Sequence, residues 1–191
     1  MNLFFEGNLG VGKSFLLWEA LGAYASAVKG FCVQRLYENG ERIGFRAVCL
    51  ERGFPTPEIA YVPGMEGVFI LREHYEVVPL EEAILRVESD ARAPCCKLVL
   101  LDEIGGIELT SRVFMDALKR VLSGGVPCVG VFKSRENLIH ASSVLGLGAE
   151  YPALHRELEA LIRKRGELIT VTDKNRVDVH RRLQSYISDN S

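Results

Sequence analysis

Residues Gly7-Asn8-Leu9-Gly10-Val11-Gly12-Lys13-Ser14 satisfy the pattern G-x-x-x-x-G-K-[ST]. They lie between a short apolar run, Leu3 to Phe5, and a stretch in which Leu17, Ala20, Leu21, Tyr24 and Val28 recur at helical spacing. A buried strand, a glycine turn and an amphipathic helix follow directly. Glycines let successive backbone N–H groups point into one concavity, and the helix start adds its partial positive charge. A polyanion is the natural occupant. Lys13 is a point charge for the β and γ phosphates of a nucleotide, the Ser14 hydroxyl is a ligand for Mg²⁺, and Phe15 continues the loop into the helix.

The rest of the chain alternates short apolar runs with amphipathic stretches, which predicts an α/β fold, a mainly parallel sheet of about five core strands between two helical layers. At 191 residues the chain can remove roughly 70% of its unfolded surface from water, enough for one core without crosslinks. We therefore expect one domain over residues 1–191. Asn39-Gly40 between Phe31 to Tyr37 and Arg42 to Leu50 is a strong hairpin signal, so a β-hairpin insertion is expected at about 31–50. Pro55, Pro57 and Pro63 make about 51–78 irregular, with at most short edge segments.

Pro79, Glu81 and Glu82 open a helix whose buried stripe is Leu80, Ala83, Ile84 and Val87. Thr110 is the expected N-cap of the next, built on Phe114, Ala117, Leu118, Val121 and Leu122 and stopped by Gly124-Gly125. Val126 to Phe132 reads as a core strand and residues 134–150 as a mobile loop; a helix around Leu154 to Ile162, a strand from Leu168 to Val171 and a final helix through Val179, Leu183, Tyr186 and Ile187 complete the chain.

A formal charge of −2 supplies no cationic field for nucleic acid, and the longest apolar runs fall far short of the ~20 residues of a membrane span. The amino end lacks the basic and long apolar regions of a secretory signal, so the cytoplasm is the expected compartment. Five cysteines show no metal or disulfide spacing and are expected as reduced thiols, with adjacent Cys95-Cys96 as the alternative redox pair. The four histidines show no metal spacing either.

Asp102 ends the apolar run Leu98 to Leu101, where the C-terminal edge of a parallel strand meets the ligand crevice, and is placed for Mg²⁺. Glu103 follows and is the candidate general base. Glu108 either orients a second group or is a solvated acid near the Thr110 cap. Lys133 and Ser134 end the Val126 to Phe132 strand; if that strand lies between the first strand and that of Asp102, they are placed to sense a γ phosphate. Arg35, Arg42, Arg46, Arg52 and Arg72 cluster in the insertion, as a solvated face or as a source of one leaving-group cation.

In these residues the sequence resembles the P-loop nucleoside-triphosphatases of the thermophile enzyme type. The likeness is carried by Gly7 to Ser14, Gly30-Phe31 with Arg42-Ile43-Gly44-Phe45, Asp102-Glu103-Ile104-Gly105 with Glu108, and Thr172-Asp173-Lys174-Asn175-Arg176. It implies a P-loop three-layer sandwich, Mg²⁺-dependent hydrolysis of ATP, GTP and other nucleoside triphosphates, and a place beside the base for Thr172, Asn175 and Arg176. The chain departs from the family at Leu9 (usually proline), Gly106 (usually lysine) and Val177 (often aspartate), and Gln34, Arg35, Leu36 and Tyr37 replace the acidic residues and arginine usual after Gly30-Phe31. Gly106 thus removes a cation from the neighbourhood of Glu103. The residues leave three functions open: triphosphate hydrolysis, transfer of the γ phosphate to a small acceptor, and a nucleotide-responsive binding module.

Overall fold

The computed structural model describes residues 1–51, 53–137, 148 and 150–190. The strands are β1 (Asn2–Glu6), β2 (Val28–Glu38), β3 (Glu41–Cys49), β4 (Glu58–Ala60), β5 (Val68–Leu71), β6 (His74–Tyr75), β7 (Leu98–Ile104), β8 (Cys128–Phe132) and β9 (Gly166–Thr170). The helices are α1 (Lys13–Leu21), α2 (Val78–Asp90), α3 (Arg112–Ser123), α4 (Tyr151–Arg165) and α5 (Arg176–Asn190). They flank one sheet of order β6-β5-β3-β2-β7-β8-β1-β9, with β4 also on β2. Its five central strands, β2, β7, β8, β1 and β9, run parallel, as the sequence predicts.

Strand alternation divides the core in two. Leu3, Phe5, Leu98 and Leu100 meet Leu17 and Leu21 of α1 and Val179, Leu183 and Ile187 of α5. Phe4, Val99, Leu101 and Phe132 meet Ile84 of α2, Phe114 and Leu118 of α3 and Leu158 of α4. Each fully buried large side chain contributes about 1.5–3 kcal/mol to keeping its helix on the sheet. Both layers thereby fix the C-terminal ends of β1, β7 and β8 at one edge.

Three local expectations are corrected. The helix after the glycine loop stops at Leu21 and tightens into a 3₁₀ turn, Gly22–Tyr24, and Val28 belongs to β2; Gly22 disfavours continuing the helix by about 1 kcal/mol relative to alanine. The hairpin is present, with Asn39 and Gly40 at positive φ. Its first strand is not only an insertion, because Val28 to Cys32 pairs with β7 before the chain continues into the hairpin.

Ser111, not Thr110, caps α3. The Ser111 hydroxyl accepts the Phe114 N–H at 3.0 Å, whereas Thr110 Oγ1 donates back to the Ile107 carbonyl of a 3₁₀ turn, Ile107–Thr110. Losing an N-cap costs about 1 kcal/mol, so Ser111→Ala should lower the thermal midpoint by about 2–4 °C in calorimetry. The expected edge segments within 51–78 are β4, β5 and β6, and the mobile-loop expectation for 134–150 falls mostly outside the described residues.

Candidate functional site

The loop between β1 and α1 is shaped by two close approaches. A Cβ on Gly7 (φ 140°) would lie 2.5 Å from the Val171 carbonyl, and one on Gly12 (φ 84°) would lie 3.0 Å from the Arg176 guanidinium. At Gly7 only glycine fits both the backbone and the space, and at Gly12 the positive φ favours it, the Arg176 tip being free to shift. Lys13 is buried, and its ammonium donates to the carbonyls of Gly7 at 2.9 Å and Asn8 at 2.8 Å. Burial lowers its pKa, opposed by the charges of Glu103 and Asp102. Leu9 and Phe15 are exposed at the rim, and a cavity of about 530 Å³ runs from Gly7 and Val11 to Thr172 and Asp173.

Asp102 lies within β7, opposite Val131 of β8 and Cys32 of β2. The Ser14 hydroxyl donates to its Oδ1 at 2.9 Å, joining the helix start to the strand end across the crevice. The Asp102 side chain is buried, and desolvation pushes its pKa up to about 7 against the Ser14 hydrogen bond. A hydroxyl and a buried carboxylate in contact are hard oxygen donors whose charge a divalent cation would satisfy. Among the described residues no three His, Cys, Asp or Glu side chains gather as a metal cluster. This donor set fits Mg²⁺, which keeps most of its shell for water and phosphate oxygens, rather than a metal needing an all-protein cage.

Glu103 follows at a register shift between β7 and β8, and its Oε1 lies 3.9 Å from the Lys133 ammonium. β8 does run between β1 and β7, so Lys133 stands beside the strand end that carries both carboxylates. A cation therefore does accompany Glu103 despite Gly106, where a Cβ would lie 2.7 Å from Glu108 Oε2, so the glycine makes room for the Glu108 carboxylate. The Ser134 hydroxyl accepts the Asn137 N–H at 3.4 Å, and the Asn137 amide donates to the Gly7 carbonyl at 3.3 Å, which links the segment after β8 to the glycine loop.

A supporting layer lies beneath. Glu108 is buried, not solvated; its carboxylate accepts the N–H groups of Gly105 and Gly106 and fixes the turn after Glu103, while burial raises its pKa. One helical turn apart on α4, Tyr151 donates to the Gly105 carbonyl at 3.3 Å and His155 bonds the Lys133 carbonyl at 2.8 Å. These two clasp the ends of β7 and β8. No spacing in the sequence marks them, since their partners are main-chain atoms far away in sequence.

The distal residues divide. Arg176 covers Gly12, and Thr172 lines the cavity. Asn175 uses its side chain on the turn itself, accepting from Thr172 N–H and donating to the Thr170 carbonyl, both at 2.8 Å. In the hairpin, Arg35 pairs with Glu58 at 3.2 Å, Arg46 with the Gln34 amide oxygen at 2.7 Å, and Arg42 lies over the Phe45 ring, while Arg72, between β5 and β6, pairs with Glu38 at 2.6 Å. Arg52 and His140 are outside the described residues. All five cysteines are free; Cys96 is buried and Cys95 exposed, and burial raises the Cys96 thiol's pKa, which disfavours thiolate chemistry there. No described helix is long and apolar enough to cross a membrane.

Residues 2–184 match a family model described as NTPase. The chain is 29% identical over 185 residues to the nucleoside-triphosphatase THEP1 of Methanocaldococcus jannaschii, spanning 92% of this chain and 91% of that protein. It is 31% identical over 140 residues to the cancer-related nucleoside-triphosphatase homolog of Mus musculus, spanning 68% and 73%. Among solved structures, that of a human cancer-related nucleoside triphosphatase superposes with a TM-score of 0.64 at 23% identity over 100% of this chain and 98% of that one, a likeness of fold.

Proposed function

We propose, from the premise that this chain belongs to the NTPase family, that it hydrolyses nucleoside triphosphates to the diphosphate and phosphate at the junction of the glycine loop with the β7 end. The observation that carries this site is the Ser14–Asp102 contact, which brings the phosphate-binding helix start to the strand end bearing Glu103. Backbone N–H groups from Gly7 to Ser14 and the α1 terminus would bind the phosphates, with Lys13 neutralising the outer two. Ser14 and Asp102 would hold Mg²⁺, which when bound offsets charge on the phosphate oxygens. We read Thr172 and Arg176 as the residues beside the base, a reading supported by Thr172 lining the cavity that begins at the glycine loop and by Arg176 covering Gly12.

Glu103 accepts the proton of the attacking water as the water oxygen bonds to the γ phosphorus and the bond to the β-bridging oxygen breaks. Lys133 keeps the Glu103 carboxylate oriented and, from the same strand ends, faces the outer phosphate as a sensor. We further read residues 1–191 as one domain, supported by the continuous sheet, working in the cytoplasm, a compartment that suits five free thiols.

A second reading, transfer of the γ phosphate to a small acceptor, is favoured by one feature, a cleft of about 580 Å³ bounded by Arg46, Phe54, Pro79 and Arg86. One assay separates the two. Phosphate release from ATP or GTP should proceed with water alone, stop when Mg²⁺ is chelated, and return on re-addition. Release that survives chelation would remove the metal from the mechanism. Nucleotide loss that requires an added hydroxyl compound, with label appearing on it, would replace hydrolysis by transfer.

A further inference from the structure

The only tryptophan in the chain, Trp18, lies one helical turn after Ser14 on α1, the spacing that puts two side chains on one helix face. Ser14 uses that face to reach Asp102. The Trp18 indole nitrogen is shielded from solvent and makes no closed hydrogen bond among the described residues. The indole packs against the core cluster that contains Cys32, on the helix face from which Ser14 bonds Asp102, and its presence favours the ionised form of that carboxylate. Cys32 is the β2 residue directly opposite Asp102. From the other side the indole stacks on Phe54, ring centroids 6.4 Å apart and planes at 27°.

A buried donor without an acceptor is a desolvation cost with no return. Tryptophan is a donor only, so a Phe at this position would fill the space without that cost. Of its two neighbours, the thiol is a weak acceptor and the carboxylate a strong one. We infer that Trp18 is a positioning residue for the metal carboxylate: clamped by Phe54, its indole N–H orients Asp102 beside Ser14 for the divalent cation of the bound nucleotide. The inference rests on Asp102 holding the metal, and extends that reading to a side chain outside the glycine loop and the β7 end.

Mn²⁺ replaces Mg²⁺ as the probe, with ADP as the nucleotide, in the full chain. Trp18→Phe should weaken Mn²⁺ binding to the ADP complex about 5-fold to 10-fold, while ADP affinity without metal stays within about twofold and the thermal midpoint does not fall. Unchanged Mn²⁺ affinity, or equal losses with and without metal, would overturn the proposal, the second because packing alone would then account for it. Asp102→Asn separates the premises. If Asn at 102 leaves Mn²⁺ binding intact, the metal reading falls and this proposal with it; if binding is lost there but is unaffected in Trp18→Phe, this proposal alone falls. Should Trp18→Phe fail to fold, the natural chain still decides. Mn²⁺·ADP should quench Trp18 emission relative to Mg²⁺·ADP, and equal emission would overturn the placement.

Discussion

Glu103→Gln is expected to slow phosphate release about 10²-fold to 10⁴-fold while changing nucleotide affinity by no more than about threefold. The substitution keeps the side chain's shape and removes its capacity to take a proton. Glu103 is partly exposed, and its closest charged partner, Lys133, lies 3.9 Å away with its own side chain about a quarter exposed. An ion pair this long is weak, and the uncharged amide keeps the shape, so the change should cost no more than about 1 kcal/mol of stability. A kcat that falls alone therefore marks an interaction made in the transition state. Single-turnover phosphate release beside equilibrium nucleotide binding makes the measurement, and a wild-type rate in the variant would remove Glu103 from the chemistry.

Lys13→Ala should have the second large effect, on binding and rate together. The ammonium is buried within the loop, bonded to two of its carbonyls. Its charge is thus fixed where a phosphate chain would lie, in surroundings that screen it poorly. A hydrogen bond to a charged group contributes about 1.5–3 kcal/mol, or roughly 10-fold to 150-fold in affinity. Charge growing on the γ phosphate during transfer adds to that, so kcat/KM should fall about 10³-fold. The fold should survive, because alanine leaves no buried charge behind. A variant that binds Mg²⁺·ATP as tightly as the natural chain would show that Lys13 faces away from the phosphates.

What could be read from the sequence is what the chain encodes locally. Glycine spacing dictates backbone direction, so Gly7 to Ser14 and its flanking strand and helix were legible, as was Asp102 at the end of an apolar run. The cap of α3 was ambiguous because Thr110 and Ser111 are both competent caps, and the choice is made by a 3₁₀ turn that draws Thr110 back to Ile107. The strands between Glu58 and Tyr75, of two to four residues each, are too short for a period to emerge after Pro55 and Pro57 and around Pro63. The cation beside Glu103 depended on strand order: Lys133 reaches it only because β8 lies next to β7. Trp18 resembled any apolar residue of an amphipathic helix until Asp102 and Cys32 were brought to its edge by the parallel pairing of β2 with β7.

The most direct measurement is a calorimetric titration of Mg²⁺·ATP into the Glu103→Gln protein, in which hydrolysis no longer obscures binding. One nucleotide should be taken up per chain, with an affinity close to that of the natural protein for Mg²⁺·ADP, and uptake should weaken at least tenfold once Lys13→Ala is added. Folded protein that takes up no nucleotide at millimolar Mg²⁺, or that binds equally well without Lys13, would contradict the phosphate-loop site on which the whole account stands.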